Sequence, residues 1–397
     1  MCDTQGGVIS NKMGYRIAVF GHAVVPNNPA GSCTLRMLRG LCEKHEFTVF
    51  AVQFENPRPD RIRFQRIPAP MRPLVLLFLG YNCLAFFYYF VYRWKTKTRF
   101  DFTQTTDCNF ILGDITYAHF CHRTYLRLHW RTARPSGLRR WLHWLDHTLH
   151  AWAEPIVYRR ARTIVAASKG LARELAFEYP DCADKIVVIP IGIETERMRR
   201  PEHFDRETVR RGLHLDQGSI ALVFVALGAF ERKGLPQLLD ALTLFKNSPM
   251  HLLVVGGPGD LVEAYQKRVA KLGLRSQVIF VGKQPDIRPY LWASDVFVFP
   301  SLYEVFPAVA LEAAAAGLPI IATAVNGVED FLADGTSGIV ISPAASSIAD
   351  GLSRFVALTR GGRVAMGAVA QRAVEAYGID KFVISWECFY QEPARNG

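Results

Sequence analysis

Short apolar runs alternate with longer amphipathic stretches along most of this chain. The first run, residues 16–21, ends at a glycine; a loop rich in Pro, Asn and Gly, a helix predicted at about 32–44, and a second run at 47–52 follow it. Short apolar runs of this kind are typical of parallel strands that helices bury on both faces. The pattern therefore predicts a strand–helix–strand unit at the start of an α/β domain.

The same alternation returns after about residue 195. Further strands are predicted at the apolar runs 220–226, 252–256, 278–281, 296–299 and 320–323, with a helix at about 236–245. A length of 397 residues favours two or three domains. The two stretches predict an N-terminal α/β domain at 1–195 and a second one at 196–378, followed by an amphipathic helix within 379–397.

Composition narrows the class of protein. Half of the residues are hydrophobic, which is enough for folded cores and excludes a mainly disordered chain. The eight cysteines form no Cys-x-x-Cys pair, so we expect reduced thiols in a cytoplasmic protein, with neither a disulfide framework nor a zinc site. The first fifteen residues lack the apolar stretch of a signal peptide.

Positive charge is concentrated in the first half of the chain. Residues 1–200 carry 29 Lys and Arg against 16 Asp and Glu, a net charge of +13, whereas residues 201–397 carry 18 against 20, a net charge of −2. A basic half suits nucleic acid, an anionic membrane surface or an acidic substrate. Because there is no zinc finger, RNP-like run or block of Lys and Arg, the sequence favours a membrane surface and no nucleic acid.

Two segments of the basic half are rich in aromatic residues. Residues 74–92 carry no charge over nineteen positions, and residues 139–162 combine Trp and Leu with Arg. The first segment would form a helix of about 28 Å, barely the thickness of a bilayer core. The strands before and after it are expected in one sheet, which argues against a membrane span. Either both segments lie on a membrane surface, or they pack as ordinary helices on the sheet.

The segment after the apolar run at 296–299 holds two carboxylates, which are the first candidate site residues. Glu304 lies on the loop that leaves this strand, Pro307 is placed to start a helix, and Glu312 lies on that helix with seven residues between the two glutamates. The helix is expected to end at Gly317. A helix N-terminus favours an anion, and open α/β sheets bind ligands at the carboxyl ends of their strands. The segment therefore predicts an anion site beside two carboxylates.

Two adjacent cations, Arg232 and Lys233, follow the strand predicted at 220–226 and precede the helix at 236–245. Parallel strands end at the same edge of a sheet, so we expect these cations near Glu304. An arginine binds phosphate through two parallel hydrogen bonds, and a lysine adds a compact charge. The pattern predicts that this edge binds phosphate.

The segment from Ser301 to Glu312 resembles the Glu-x7-Glu signature of retaining glycosyltransferases of family 4, whose GT-B fold has two Rossmann-like domains facing each other across a cleft. The resemblance implies that Glu304 contacts the donor sugar and that Glu312 holds the ribose of the nucleotide. It also implies that Arg232 and Lys233 hold the diphosphate. Weaker matches stand in the family's order at 114–122, 163–169, 186–194 and 326–338.

Further site residues depend on the same resemblance. Gly31 occupies the place of the paired glycines that let the backbone approach the donor phosphates, and the amides of Val305 and Phe306 are expected to assist. The segment 114–122 holds two candidates for the histidine that contacts the sugar, His119 first and His122 second. The last helix is expected to cross back onto the N-terminal domain.

The resemblance implies a metal-independent hexosyltransferase that moves a sugar, with retention, from a nucleotide-diphosphate sugar to a hydroxyl of a glycan or lipid-linked acceptor. It implies no cofactor besides this donor substrate. We expect a cytoplasmic enzyme, peripheral on the membrane if its basic half binds lipid. No Asp-x-Asp motif supports metal-dependent transfer. Two alternatives remain: a nucleotide-sugar epimerase or phosphorylase of the same fold, and a non-catalytic scaffold that binds a nucleotide sugar.

Overall fold

The computed structural model describes residues 14–133, 139–216 and 218–391 and divides the chain into two compact units. The first unit takes the described residues up to Leu128, those from 139 to Gly192, and a last segment that begins at Ile379. The second unit takes residues 129–133 and the described residues from Ile193 to Gly378. The first unit thus combines segments that precede and follow the main segment of the second unit in the sequence.

Each unit is built around one sheet. In chain order the strands are β1 (Arg16–Val24), β2 (Glu46–Phe54), β3 (Ile62–Arg66), β4 (Phe102–Thr106), β5 (Ile115–Ala118), β6 (Thr163–Ala166), β7 (Ile186–Val188), β8 (Ile220–Val225), β9 (Met250–Val255), β10 (Val278–Gly282), β11 (Val296–Phe299), β12 (Ile320–Thr323) and β13 (Gly338–Ile341). The first sheet has the order β3-β2-β1-β4-β5-β6-β7, and the second has the order β10-β9-β8-β11-β12-β13. All these pairings are parallel, which confirms the predicted α/β class.

Helices connect the strands in both units. They are α1 (Pro29–Leu41), α2 (Leu74–Thr96), α3 (His122–Thr124), α4 (Trp130–Ala133), α5 (Arg139–Arg160), α6 (Lys169–Glu178), α7 (Thr195–Met198), α8 (Arg206–Gly212), α9 (Leu235–Leu242), α10 (Gly259–Leu272), α11 (Arg288–Ala293), α12 (Ala308–Ala315), α13 (Ala345–Ala357), α14 (Arg360–Ala373) and α15 (Ile379–Gln391). Short 3-10 or π turns lie at Tyr125–His129, Pro180–Lys185, Thr243–Phe245 and Val374–Tyr377.

The helix α1 begins earlier than the pattern predicts. The side chain of Asn28 accepts a hydrogen bond from the amide of Gly31 at 2.8 Å, and Pro29 is the first helical residue. Both residue types look like loop formers in the sequence, but Asn is a preferred N-cap and Pro is favoured in the first helical turn. The predicted start at residue 32 was therefore wrong by three positions, for a local reason.

The last helix, α15, belongs to the first unit and packs on α1. The approach is close, because a Cβ added at Gly40 would lie 2.3 Å from Val383. Trp386 and Tyr390 are fully buried, and the Tyr390 hydroxyl donates to the side chain of Gln104 on β4. The helix therefore supplies part of the core of the first unit.

Strand order reverses once in each sheet. In the first unit the chain runs outward through β1, β2 and β3 and then restarts beside β1 with β4. In the second unit it runs outward through β8, β9 and β10 and restarts beside β8 with β11. The loops that follow the two adjacent strands diverge at such a point and leave a crevice for a ligand. Each unit therefore offers one switch point, and the predicted site residues lie near both.

Candidate active site

The loops that follow β8 and β11 are joined at the switch point of the second unit. The amide of Leu302 donates to the carbonyl oxygen of Arg232 at 2.8 Å, and the hydroxyl of Ser301 donates to the same oxygen at 3.1 Å. These bonds hold the segment with Arg232 and Lys233 against the segment with Glu304. The predicted convergence of these three residues is present within this unit.

Gly234 makes this close approach possible. Its φ is +80°, and a Cβ at this position would lie 2.0 Å from the carbonyl oxygen of Pro300. A residue with a side chain would meet both the unfavourable backbone conformation and a direct clash. The turn after Lys233 therefore depends on glycine, and it leads directly into α9.

Three side chains surround one oxygen of Glu304. Lys233 Nζ lies 2.5 Å from Glu304 Oε1, the hydroxyl of Ser301 donates to that oxygen at 2.8 Å, and Arg232 Nη1 lies 3.7 Å from it. Arg232 also donates to the carbonyl oxygen of Tyr303 at 3.0 Å. Two cations thus face one carboxylate, which leaves the cluster with one positive charge in excess.

Burial and charge oppose each other at Glu304. Its side chain is almost fully buried, and burial alone raises the pKa of a carboxyl group. The charges of Lys233 and Arg232, with the hydrogen bonds from Lys233 and Ser301, nevertheless hold the pKa of Glu304 below its usual value. Burial lowers the pKa of Lys233, while the carboxylate of Glu304 counteracts that effect. Lys233 and Glu304 therefore form an ion pair. Lys233 Nζ also lies 5.1 Å from the centre of the Phe299 ring, within reach of a cation–π interaction.

The segment that links Glu304 to the next helix is well packed. Val305 is buried, and the ring of Phe306 lies on Gly327, where an added Cβ would be 2.6 Å from Phe306 Cγ. Pro307 is the N-cap residue of α12, and half-buried Glu312 lies within that helix. The amides of Val305 and Phe306 and the carboxylate of Glu312 thus lie on one short segment.

The end of α12 differs by one residue from the predicted end. Ala316 is the C-cap, and Gly317 follows it with a φ of +83°. The glycine therefore takes the left-handed position just past the helix, where an αL residue commonly ends a helix. The sequence pattern identified the correct glycine but placed it at the C-cap, which Ala316 occupies, instead of at the position after the C-cap.

Gly31 has a packing function at the first switch point. An added Cβ would lie 2.1 Å from the carbonyl oxygen of Ala23, at the end of β1. Its amide already donates to Asn28. The absence of a side chain is therefore needed for α1 to approach β1.

The two candidate histidines have different surroundings. The backbone amide of His119 donates to Asp107 Oδ1 at 2.6 Å, while its ring Nε2 is buried and has no hydrogen-bond partner among the described residues. Burial lowers the pKa of His119 to about 3, so the ring is neutral at physiological pH. His122 Nδ1 instead lies 2.9 Å from His147 Nδ1, and the ring stacks on His150 with 4.4 Å between centroids. His119 is therefore the better placed of the two to contact a ligand.

Two contributors were not identified from the sequence. Ser301 is fully buried and bridges the backbone of Arg232 to Glu304; its signal was its position directly after a buried strand. Asp107 follows β4 with a φ of +50°, and burial raises its pKa to about 7, against the hydrogen bonds donated by the amides of His119 and Phe120. Asp tolerates this backbone region better than most residues, but nothing in the pattern indicated the shifted pKa.

No three His, Cys, Asp or Glu side chains in residues 14–133, 139–216 and 218–391 are arranged to hold a metal ion. Transfer without a metal ion stays a prediction.

Comparison with known proteins gives matches over both halves of the chain. The model of the family described as glycosyl transferases group 1 matches residues 205–371, and that of glycosyltransferase family 4 matches residues 30–197. A D-inositol 3-phosphate glycosyltransferase of Streptomyces scabiei is 32% identical over 244 residues, which cover 57% of this chain and 53% of that protein. The lipopolysaccharide core biosynthesis glycosyltransferase LpsE of Rhizobium meliloti is 36% identical over 128 residues, 32% of this chain and 37% of that protein.

The chain spans about half the length, or less, of the curated relatives it matches. Solved structures match over a larger share. WaaG, a glycosyltransferase involved in lipopolysaccharide biosynthesis, superposes with a TM-score of 0.72 at 18% identity over 93% of this chain and 98% of that chain. Sucrose-phosphate synthase from Thermosynechococcus elongatus gives 0.76 at 18% identity over 96% and 100%. Anabaena Alr3699/HepE in complex with UDP-glucose gives 0.71 at 16% identity over 95% and 100%. At these identities the likeness establishes the fold.

Proposed function

The chain belongs to the glycosyltransferases of group 1, family 4, with the GT-B fold, and from this premise we propose that it is a retaining hexosyltransferase. In this proposal it moves a sugar from a nucleotide-diphosphate sugar to a hydroxyl of a glycan or glycolipid, without a metal ion. The observation that carries the proposal is the buried cluster of Arg232, Lys233 and Glu304 at the switch point of the second unit.

The excess positive charge of this cluster suits a diphosphate. Arg232 and Lys233 bind the diphosphate, and Glu304, kept ionised by these cations, accepts hydrogen bonds from sugar hydroxyls. Glu312 accepts hydrogen bonds from the ribose, and the amides of Val305 and Phe306 donate to phosphate oxygens. The assignment to Glu304 uses this side chain in the ionised state that its surroundings favour.

The chemistry follows from the leaving group. The bond between the anomeric carbon and the diphosphate oxygen breaks, and the acceptor oxygen bonds to the same face of that carbon. The acceptor proton goes to the departing phosphate oxygen, so the step needs no nucleophile from the protein. Negative charge grows on the diphosphate in the transition state, and the fixed charges of Arg232 and Lys233 stabilise it there without reorganising.

Two residues of the first unit complete the proposal. His119 is neutral, its Nε2 has no hydrogen-bond partner among the residues that the structure describes, and in this proposal that nitrogen hydrogen-bonds a sugar hydroxyl. Gly31 lets the backbone approach the phosphates. The acceptor class is proposed from relatives that bear names of cell-surface glycan synthesis, such as LpsE and the teichuronic acid glycosyltransferase TuaC of Bacillus subtilis. The seven described cysteines are free thiols, which suits a cytoplasmic enzyme.

Calorimetric titration with UDP, GDP and ADP and their sugars tests the donor site. We expect one nucleotide to bind at micromolar affinity and the variants Lys233→Ala and Glu312→Ala to weaken it about 10- to 150-fold, the worth of one charge-assisted hydrogen bond. Lys271→Ala, at an exposed lysine of α10 in the same unit, is the matched control. Absence of binding by every nucleotide would overturn the proposal.

Analysis of the products distinguishes the proposal from its alternatives. A retaining transferase gives a glycoside of unchanged anomeric configuration, detectable by proton NMR of the anomeric coupling constant, and a glycoside of the opposite configuration would contradict retention. An isomerised nucleotide sugar formed without an acceptor would instead identify an epimerase. Nucleotide binding with neither product, across a panel of glycan and glycolipid acceptors, would identify a scaffold.

A further inference from the structure

Helix α2 of the first unit is apolar on both of its faces. Leu77, Tyr81, Ala85 and Tyr89 are buried against the sheet. The opposite face exposes Leu76, Leu79, Phe86, Phe87, Phe90 and Trp94. The exposed fraction reaches 60% at Phe87 and 78% at Trp94. A helix that is hydrophobic all round is normally covered on all sides, so this outer face lacks the cover that its composition requires.

The helix is long and apolar enough to cross a membrane, judged by length and composition alone. The topology excludes a crossing in the folded chain. The strands β3 and β4 that flank α2 belong to one sheet, and the Tyr81 hydroxyl accepts from the amide of Gly21 at 3.0 Å and donates to the carbonyl oxygen of Phe50 at 2.6 Å. One face of α2 is thus bound to the strands, and the other face is left at the surface.

Helix α5 continues this exposed apolar surface. It packs on α2, where the rings of Phe78 and His150 have centroids 4.2 Å apart. Trp141 and Trp152 are each 70% exposed, and Ile156 is also exposed. Positions 141, 152 and 156 fall on one helical face, because they are separated by eleven and four residues. Two tryptophans in this position are not explained by packing within the unit.

The exposed charges on these two helices have one sign, and Arg159 of α5 pairs with Asp181 outside them. The sequence holds no Asp or Glu from residue 61 to residue 100. The two acidic residues of α5, Asp146 and Glu154, are buried. Lys95, Arg140 and Arg160 are exposed. Every exposed charge on the described residues of α2 and α5 is therefore positive, next to a large apolar and aromatic face.

We propose that this surface, defined by Leu76, Phe87, Trp94, Trp141, Trp152 and Ile156 and called the α2–α5 surface, lies on an anionic lipid bilayer. Tryptophan and tyrosine favour the headgroup level of a bilayer, and an amphipathic surface with Lys and Arg beside it binds in the interface plane. A second copy of the chain would present the same positive charges and would be repelled. The inference stands on residues outside the donor site, so it does not depend on the proposed reaction.

Vesicle flotation with the full chain tests the proposal. We expect binding to vesicles of phosphatidylcholine with phosphatidylglycerol that is at least about tenfold stronger than to phosphatidylcholine alone, and a decrease when salt is raised from 50 to 500 mM, because each Lys or Arg near such a surface contributes about a fivefold factor. Blue-shifted tryptophan fluorescence on binding should accompany it, since Trp94, Trp141 and Trp152 would leave water. A chain that stays in solution with both vesicle types would overturn the proposal.

Matched variants locate the contact. Phe87→Ser with Trp141→Ser should reduce binding by at least about tenfold, because apolar area is removed from the buried interface. Leu244→Ser with Val364→Ser, equally exposed apolar positions of the second unit at 73% and 66%, should leave it unchanged. Lys95→Glu with Arg160→Glu should weaken binding and flatten its salt dependence, whereas Lys271→Glu with Arg275→Glu should not.

Two measurements separate this proposal from its competitors. Nucleotide affinity measured in the same variants should be unchanged, which shows that each protein is folded and keeps failure of lipid binding distinct from failure of the donor site. Light scattering after size exclusion reports the oligomeric state. A dimer that Phe87→Ser with Trp141→Ser dissociates, together with no binding to vesicles, would assign the surface to a second copy and overturn the proposal. Equal loss of lipid binding in the control variants would also overturn it.

Discussion

The two switch points of this molecule have the same topology but opposite electrostatics. At the β8–β11 point, buried Glu304 faces Lys233 and Arg232, and these cations hold its pKa below the usual range. At the β1–β4 point, half-buried Asp107 receives hydrogen bonds from backbone amides instead of facing a cation. Removal of its carboxyl group from water raises its pKa to about 7. The pKa values of the two carboxyl groups are thus shifted in opposite directions because of their neighbours.

This difference indicates what each point can bind. Fixed charges in a water-poor site suit a phosphate, whose own charge they match. Neutral groups such as the His119 ring suit hydroxyls, which need direction rather than charge. The strand order supplies a crevice in each unit, and the residues that follow the strands decide its chemistry.

Of the substitutions considered, Lys233→Ala should have the largest effect, because it removes the cation that distinguishes the β8–β11 switch point from the β1–β4 switch point. It leaves Glu304 buried without its nearest cation, so we expect a loss of about 3–5 kcal/mol in the free energy of unfolding at pH 7 and a fall in kcat/KM of about 100-fold. Denaturant titration and kinetics measure the two losses. The pKa of Glu304 should rise, as at Asp107.

The double variant Lys233→Met with Glu304→Gln is the control for this interpretation. It removes both charges, so most of the lost stability should return while activity stays low. A double variant as unstable as Lys233→Ala would contradict the ion-pair explanation.

The next largest effect is expected at Gly234, in the turn that follows Lys233. Gly234→Ala should lower the free energy of unfolding by about 3 kcal/mol, because the left-handed backbone stores about 1–3 kcal/mol of strain and the methyl group would meet Pro300. Gly335→Ala shares the positive φ, +72°, but has no atom within 4 Å of the added Cβ, so it should cost only about 1 kcal/mol. Equal losses in thermal or denaturant unfolding would mean that the contact with Pro300 does not matter.

At the β1–β4 switch point, the substitution Asp107→Asn tests the raised pKa of Asp107. The folded-state pKa of Asp107, about 7, lies above its unfolded value of 3.8. The folded chain therefore binds the extra proton between these values, and its stability falls as pH rises from about 4 to 7. Asn keeps the acceptor for the His119 amide and tolerates the positive φ.

We expect Asp107→Asn to remove this part of the pH dependence and to stabilise the fold at pH 8 by about 1–3 kcal/mol. His119 and His22 act in the opposite direction, because burial lowers the pKa of each to about 3 and stability is lost as pH falls from about 6.5. The difference between wild type and variant, measured by denaturant titration from pH 4 to 8, isolates Asp107. A difference independent of pH would contradict the raised pKa.

The smallest expected effect is at His119. His119→Gln should lower kcat/KM by about 5- to 10-fold, the worth of one neutral hydrogen bond, with no change in the free energy of unfolding larger than about 1 kcal/mol. His122→Gln is the matched comparison, because its ring lies among other histidines; it should affect stability more than activity. The reverse result, in kinetics and unfolding, would transfer the sugar contact to His122.

The parallel sheets were predictable because most of their strands are apolar runs with no competing helical period. The central strand β4 was not, since Thr103, Gln104 and Thr105 are polar and yet buried. Residues outside the strand satisfy two of them: Thr103 donates to Asp114, eleven residues further on, at 2.6 Å, and Gln104 accepts from Tyr390 on the last helix. A local pattern cannot show such partners.

The candidate site was predictable at the level of residues but not of geometry. The positions of Arg232, Lys233 and Glu304 after strands of one sheet indicated that they converge. That Lys233 and Glu304 form a 2.5 Å pair, and that Ser301 holds both loops, depends on how the two turns meet in space. The raised pKa of Asp107 also depends on the three-dimensional structure, because burial causes it and no sequence motif predicts it.

The placement of α15 has a consequence for the order in which the chain acquires its structure. The second unit, from Ile193 to Gly378, is nearly continuous in sequence, whereas the first unit receives Trp386 and Tyr390 from beyond it. During synthesis the sheet that is translated first waits for the last helix, with Tyr117 and Gln104 uncovered until Trp386 and Tyr390 arrive. The sheet translated second can close its core earlier. Contacts this distant in sequence slow folding, so the interval before α15 emerges is when the nascent chain most needs protection from aggregation.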